Sequence, residues 1–484
     1  MKTFALTALF VTASAFASAK SDKAVPSSYF QVTAYGALGN GVHDDRPNIQ
    51  AAMDAAVAAG GGTVYFPAGT YLLSTSTTGS SILTETNWTP YALNLIGNGA
   101  TLTTPLISTS MFNMIGKLQN SQISGLTFVN THGVTTLGTT GLYFQGGANG
   151  TQNITITGNT FKNFQTMILT GGVIGMLVDN NTFIMEQGRD SGSSTNTSAS
   201  NYAILANDNG VNGQSIAFEV SNNTYQGCGT LTSLAATTSH TCGDGLIAGR
   251  YYASSVEQNT IKGFSQNAIQ ASPQVTRYPG TVISKNLIDG TMITGDTSGG
   301  GAVGVRADAN YTYIADNVIT NSRIGIFSCT QTGCGGSGTP AIGIQVVGNT
   351  VTAQNSGTQA VNYGIEFTGV SQSSILNNFV SFATGTQRSG APTIGIAVNG
   401  NTATIPSDSV AIMGNNITST LTPTAYGPAA ISLQWVTNWN VVGNLLNGFL
   451  YGFYTTGLTI TQAQIDALIA MNTLTGITTA YSPH

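Results

Sequence analysis

Short apolar runs of three to six residues recur along most of the chain, each cut by glycine, asparagine, serine or threonine. Helical periodicity stands out only upstream, between Asp45 and Gly60. One phrase repeats: apolar, two residues, asparagine, one residue, apolar. It reads I-T-G-N-T-F at 156–161, V-D-N-N-T-F at 178–183 and V-S-N-N-T-Y at 220–225, and it runs on to V-V-G-N-L-L at 441–446. The register asparagines are Asn159, Asn181, Asn223, Asn259, Asn286, Asn317, Asn349, Asn378, Asn415 and Asn444, spaced 22 to 42 residues apart. A short minimum with irregular excess is the signature of a coil with a fixed minimal circuit and loops of variable length. A second phrase lies between copies of the first, as in G-L-Y-F at 141–144, G-V-R-A at 304–307 and G-I-E-F at 364–367. Each circuit therefore holds at least two strands with alternating burial. Stacked circuits bury a core that no single repeat can bury. The pattern predicts an all-β parallel β-helix, with the asparagines laddered at one bend, where Asn tolerates left-handed backbone and bonds its neighbours. A propeller would need regular repeats of about 40–45 residues.

Upstream, residues 35–62 read Y-G-A-L-G-N-G-V-H-D-D-R-P-N-I-Q-A-A-M-D-A-A-V-A-A-G-G-G. Asp44 or Asp45 can cap a helix with Pro47 in its first turn. Ile49, Ala52, Met53 and Ala56 form one apolar face. Gly60 to Gly62 stop the helix, and T-V-Y-F-P-A-G-T-Y begins the first coil. The segment reads as a lid over the open end of the β-helix. The expected organisation is a signal peptide at 1–19, the cap and first coil at 20–75, the β-helix at 76–455 and a C-terminal cap or tail at 456–484.

Composition sharpens this picture. Of 484 residues 60 are glycine, and only 7% are charged, with a net charge of −5. Fourteen basic residues spread along the chain argue against nucleic-acid binding, which needs clustered Lys and Arg. The first residues, M-K-T-F-A-L-T-A-L-F-V-T-A-S-A-F-A-S-A, join a positive start, a short apolar stretch and Ala17-Ser18-Ala19 as a cleavage site. They predict secretion to an extracellular or periplasmic compartment, with no membrane anchor. The four cysteines fall into two local pairs, Cys228 with Cys242 and Cys329 with Cys334, each expected to close a loop as a disulfide.

Residues 32–73 resemble the N-terminal signature of the pectate-lyase-3 superfamily, also called rhamnogalacturonase/epimerase-like, among the polygalacturonase-like proteins. The resemblance implies a right-handed, pectin-lyase-like single-stranded β-helix and a secreted protein that acts on glycans. It does not specify the reaction, because the group includes hydrolases, lyases, epimerases and phage tailspikes. The polygalacturonase residues N-T-D, D-D, G-H-G and R-I-K are absent, as are W-x-D-H and R-x-P-x-x-R of family-one pectate lyases. Homotrimers are suggested by resemblance to other β-helices, with no residue here to carry that expectation.

Strand alternation selects the outward side chains. One row holds Tyr143, Gln270, Arg306, Glu366, Ala397 and Ser432; two positions further on the outward row includes Asp308, and strand ends add Asp208, Arg250 and Trp435. In a chain so poor in charge, acids on one face are informative. Asp308 and Glu366, two coils apart, could approach the roughly 6.5–9.5 Å of an inverting glycosidase pair, one protonating the leaving oxygen and the other activating water. Asp208 is a third candidate acid. Arg250, Arg306, Tyr251, Gln270 and Trp435 are candidate substrate contacts. Plain surface ion pairs, Arg306–Asp308 and Asp208–Arg250, are the competing reading. A polysaccharide lyase would instead use Arg250, Arg306 or Tyr251 as base or neutralising group, with Ca²⁺ possible on Asp208, Asp244 and Asp308; otherwise no cofactor or metal is expected. The expectations are thus a polysaccharide-cleaving enzyme, hydrolase ahead of lyase, or a non-catalytic glycan-binding or adhesin β-helix. An epimerase would need acid and base on opposite sides of a sugar ring.

Overall fold

The computed structural model describes residues 29–483, apart from segments 76–80, 107–109, 132–138, 146–149, 186–188, 191–201, 208–214, 228–239, 242–243, 265, 273–279, 291–302, 331–338, 354–360, 383–392, 401–405 and 422–428. Its architecture is the expected right-handed parallel β-helix. Most coils contribute three strands, within the expected minimum of two; at Ala92–Thr104 one long strand spans two faces. In one coil these are Gln152–Thr157, Thr160–Lys162 and Thr166–Gly171. Each pairs in parallel with its counterparts in the coils before and after. The third face is a continuous sheet of 14 strands, from Ser81–Glu85 to Thr479–Pro483. Two-residue alternation sends one row of side chains inward from every face. Phe128, Phe161 and Phe183 stack there, ring centroids 4.7 and 5.4 Å apart, and Tyr225 follows in register.

The asparagine ladder forms the bend between the first two faces. Asn159 donates from both its backbone N–H (3.0 Å) and its Nδ2 (3.1 Å) to Oδ1 of Asn181, and Nδ2 also donates to the Ile123 carbonyl at 2.9 Å. The same backbone and side-chain bonds pass from coil to coil to Asn444, and then once more to Asn472. All of the register asparagines through Asn444 are buried. The left-handed residue is not the asparagine but the one before it: Gly158, Asn180, Asn222, Gln258, Lys285 and Asp316 all have φ between 53° and 64°. Lys285 and Asp316 share that position in adjacent coils.

Helix α1, Arg46–Ala58, closes one end, burying Ile49, Ala52, Met53 and Ala56 as its pattern predicts. Asp45 does not cap it through the side chain. Its carboxylate instead accepts the Leu38 and Gly39 N–H groups at 2.7 and 3.0 Å, tying down the preceding loop. The glycine run then enters the first coil. Gly61 has φ 124°, and a Cβ there would lie 2.4 Å from the Ala92 carbonyl oxygen, so only glycine fits against the next coil. At the other end lies helix α2, Gln462–Ala470, started by a capping box of Thr461 and Gln464. Its Leu468 and Ile469 carbonyls accept the last ladder donors, from Asn472.

Candidate functional site

Parallel register on the third face fixes which outward side chains are neighbours. Gln270 pairs with Arg306, Arg306 with Phe327, Phe327 with Glu366, and Glu366 with Ala397. The expected row is therefore real: Gln270, Arg306, Phe327 and Glu366 stand on successive coils, about 4.8 Å apart. Asp308 and Glu366 are two coils apart, or about 10 Å along the axis.

Their environments differ sharply. Asp308 has no exposed surface. One carboxylate oxygen accepts Arg306 Nε at 2.7 Å, and the other accepts the Cys329 N–H at 2.9 Å. Burial pushes its carboxyl pKa up, and the Arg306 charge and the Cys329 hydrogen bond pull against that shift. Asp308 therefore serves here as an anchor, not as an open carboxylate, because the strand ends at Ala307 and alternation no longer turns the next side chain outward. Arg306 keeps 26% of its side chain exposed, with its guanidinium 5.7 Å from the Phe327 ring centre.

Glu366 is the most perturbed open acid. Burial pushes its carboxyl up to about 7, opposed by the Arg323 charge and by hydrogen bonding to Thr368 and Asn399. Tyr363, three residues earlier on the same strand, is raised by burial and then by Glu366, with Arg323 opposing. Arg323 is lowered by burial, and its Nε is buried without a hydrogen-bond partner. Glu366, Arg323 and Tyr363 thus form one electrostatically coupled cluster. Arg323 and Tyr363 escaped the sequence reading.

Gln270 is equally fixed. Its Oε1 accepts Tyr202 Oη at 3.1 Å and Asn267 Nδ2 at 2.9 Å, and its Nε2 donates to Ser272 at 3.2 Å. The Tyr202 hydroxyl is made harder to ionise by its burial and then by the charge of buried Asp244.

The remaining candidates scatter. Tyr251 is 1% exposed and donates its hydroxyl to the Gln270 carbonyl at 3.1 Å. It is a core residue and no stacking platform, because the chain turns at Arg250 and alternation restarts beyond it. Arg250 is exposed at the end of Gly245–Gly249. Trp435 is half-buried at the corner after Ala429–Gln434, against Gly457. Asp208 lies outside the described residues, so neither its catalytic candidacy nor the Asp208–Arg250 pair is placed. Cys329 is disulfide-bonded; Cys334, Cys228 and Cys242 lie outside the described residues. Among the described residues no group of three acids, histidines or cysteines could hold a metal ion. The possible calcium ligands Asp244 and Asp308 stand at opposite ends of strands two coils apart. No helix among the described residues is long and apolar enough to cross a membrane.

Several known proteins share parts of this chain. Mannuronan C5-epimerase AlgE4 of Azotobacter vinelandii is 67% identical over 45 residues, 9% of this chain and 8% of that protein. Plasmin and fibronectin-binding protein A of Streptococcus pneumoniae is 65% identical over 40 residues, 8% of this chain and 6% of that protein. The match thus spans less than a tenth of these curated relatives. Two solved structures agree over most of the chain. PfbA, a surface adhesin of Streptococcus pneumoniae, has a TM-score of 0.51 at 16% identity, covering 89% of this chain and 93% of its own. A mutant tailspike protein of E. coli bacteriophage HK620, in complex with pentasaccharide, has a TM-score of 0.52 at 13% identity, covering 91% and 76%. At these identities the likeness concerns the fold alone. The sequence family described as rhamnogalacturonase A/epimerase, pectate lyase-like, matches residues 29–271, half of the sequence, and the chain belongs to that family.

Proposed function

We propose that the protein is a secreted enzyme that cleaves glycosidic bonds of a polysaccharide, with Glu366 as its proton donor. The observation that carries this reading is a carboxyl held near pKa 7 in an outward row between Phe327 and Ala397. A general acid works best when its pKa lies near the working pH. Protonated Glu366 gives its proton to the glycosidic oxygen as the C–O bond breaks; water then adds its hydroxyl to the anomeric carbon and gives its proton back to the Glu366 carboxylate. Arg306, fixed by Asp308, and Gln270, fixed by Tyr202 and Asn267, supply donors of set direction to the bound sugar. Asp308 acts as a positioning residue.

Hydrolysis stands ahead of elimination in this reading. Elimination also needs a base for the C5 proton, and burial makes Tyr363 and Tyr202 harder to ionise. A second reading, glycan binding without cleavage, draws on Asp308: with both its oxygens committed, it offers Glu366 no open partner carboxylate on this face. The folds shared with an adhesin and with a tailspike bound to pentasaccharide are compatible with either.

A polysaccharide panel read by reducing ends and by absorbance near 235 nm tests all three. New reducing ends alone, lost in Glu366→Gln, support hydrolysis. Both signals together move the assignment to elimination. Binding without either signal, unchanged in Glu366→Gln, overturns the catalytic role.

A further inference from the structure

A cleft of about 320 Å³ opens far from Glu366, against the backbone of Gly60 to Gly62. Its polar lining is Thr63, Asn94, Gln119 and Asn120, and no charged side chain contributes. Counting parallel coils from Gln119–Asn130 to Val370–Leu376, beside Glu366, gives eight steps, or about 38 Å. The cleft is therefore a separate place on the rod.

Its amides are set rather than loose. Asn94 Oδ1 accepts the Gln122 N–H at 2.9 Å, and its Nδ2 reaches Thr63 Oγ1 at 3.4 Å. Gln119 Nε2 donates to the Gly150 carbonyl at 3.3 Å, which turns its Oε1 away as an acceptor. Asn120 Oδ1 accepts Asn153 Nδ2 at 3.0 Å, which leaves its own Nδ2 as a donor. The Thr63 hydroxyl keeps a proton to give. One fixed acceptor, one fixed donor and one hydroxyl suit the vicinal hydroxyls of a sugar, each of which both donates and accepts. Two residues before cleft-lining Pro90 stands Trp88, 54% exposed, an aromatic surface of the kind sugar faces stack on.

We propose that this cleft is a second, non-catalytic binding site for uncharged sugar units of a polysaccharide. It holds the chain on the N-terminal end of the rod while Glu366 acts about 38 Å away. The proposal rests on the glycan reading of the Glu366 face. Two contacts on one polymer raise the effective concentration of the second without any new chemistry. The glycine run has a double use: it lets the first strand lie close to Ala92, and it leaves a wall of bare backbone.

The test uses Glu366→Gln protein, to prevent turnover, in affinity electrophoresis through neutral and acidic polysaccharides. Trp88→Ala changes an exposed side chain. Gln119→Ala with Asn120→Gly removes the two amides while respecting the left-handed backbone of Asn120, φ 50°. Retardation by a neutral polysaccharide, weakened about tenfold in both variants, is the expected result. With Glu366 restored, both variants should turn over a short soluble substrate at the parental rate. Retardation unchanged in both variants but lost in Arg306→Ala overturns the cleft and leaves the Glu366 face standing. Retardation by acidic polysaccharides alone overturns the uncharged assignment. No retardation on any gel, with no cleavage by the parent protein, removes the glycan reading and the cleft together.

Discussion

Glu366 sets function against stability. Its folded carboxyl keeps its proton up to about pH 7, whereas the unfolded chain releases it near 4.5. The folded state binds more protons in that interval, so stability falls as pH rises from about 4.5 to about 7 and then levels off. The span corresponds to roughly 3 kcal/mol. Glu366→Gln should unfold at higher urea than the parent at pH 8 and at the same urea at pH 4. Its cleavage rate should drop by about a hundredfold or more. In the parent, the rate should fall as pH rises past about 7, because the proton donor is lost. A pH series of urea melts beside a pH–rate profile checks both. Asp308→Asn should act differently, leaving Arg306 without its buried anion. We expect a loss of about 3–5 kcal/mol by urea denaturation and weaker substrate binding, with the pH limb of Glu366 unmoved.

At the level of elements, the ladder and the glycine run are the strained points. Asn317 receives two hydrogen bonds from Asn286 and donates from its Nδ2 to the Ile283 carbonyl and to Asn349, all in buried surroundings. Asn317→Ala orphans the Asn286 N–H and a carbonyl, at about 2–4 kcal/mol. Hydrogen exchange should show the lost protection in the adjoining coils, since a repeat array need not unfold in one step. Gly61→Ala meets the Ala92 carbonyl and a left-handed φ together. Its thermal midpoint should fall by several degrees, read by circular dichroism. These elements also show what was legible. The phrase was readable because ten successive coils, from Asn159 to Asn444, need the same amide at the same bend. Asn472 follows it too, in I-A-M-N-T-L, but was missed because a helix and not a strand precedes it. The third arm falls within the expectation of at least two strands per circuit, although three residues, as in T-F-K, are too few to show alternation on their own. Glu366 and Arg306 could be placed because they lie inside regular strands. Asp308 and Tyr251 could not, because each sits just past a strand end, where the backbone turns and the period-two rule stops.

Over the whole molecule, the rod is a sum of coils with two different ends. Helix α1 closes one, and α2 ends the ladder near the other. Every asparagine-to-asparagine bond runs the same way, each asparagine donating to the next along the chain, while each Nδ2 also donates back to a carbonyl of the preceding coil. The stack is therefore polar, like a filament with a plus and a minus end. The Leu126 N–H is its first donor, into Asn159, and the α2 carbonyls are its last acceptors. A duplicated coil inserted in register finds a donor on one side and an acceptor on the other. An inverted coil would set donor against donor. Between α1 and α2 a coil can therefore be added only in the orientation of its neighbours, so the rod's length is set by head-to-tail copies of one directional unit.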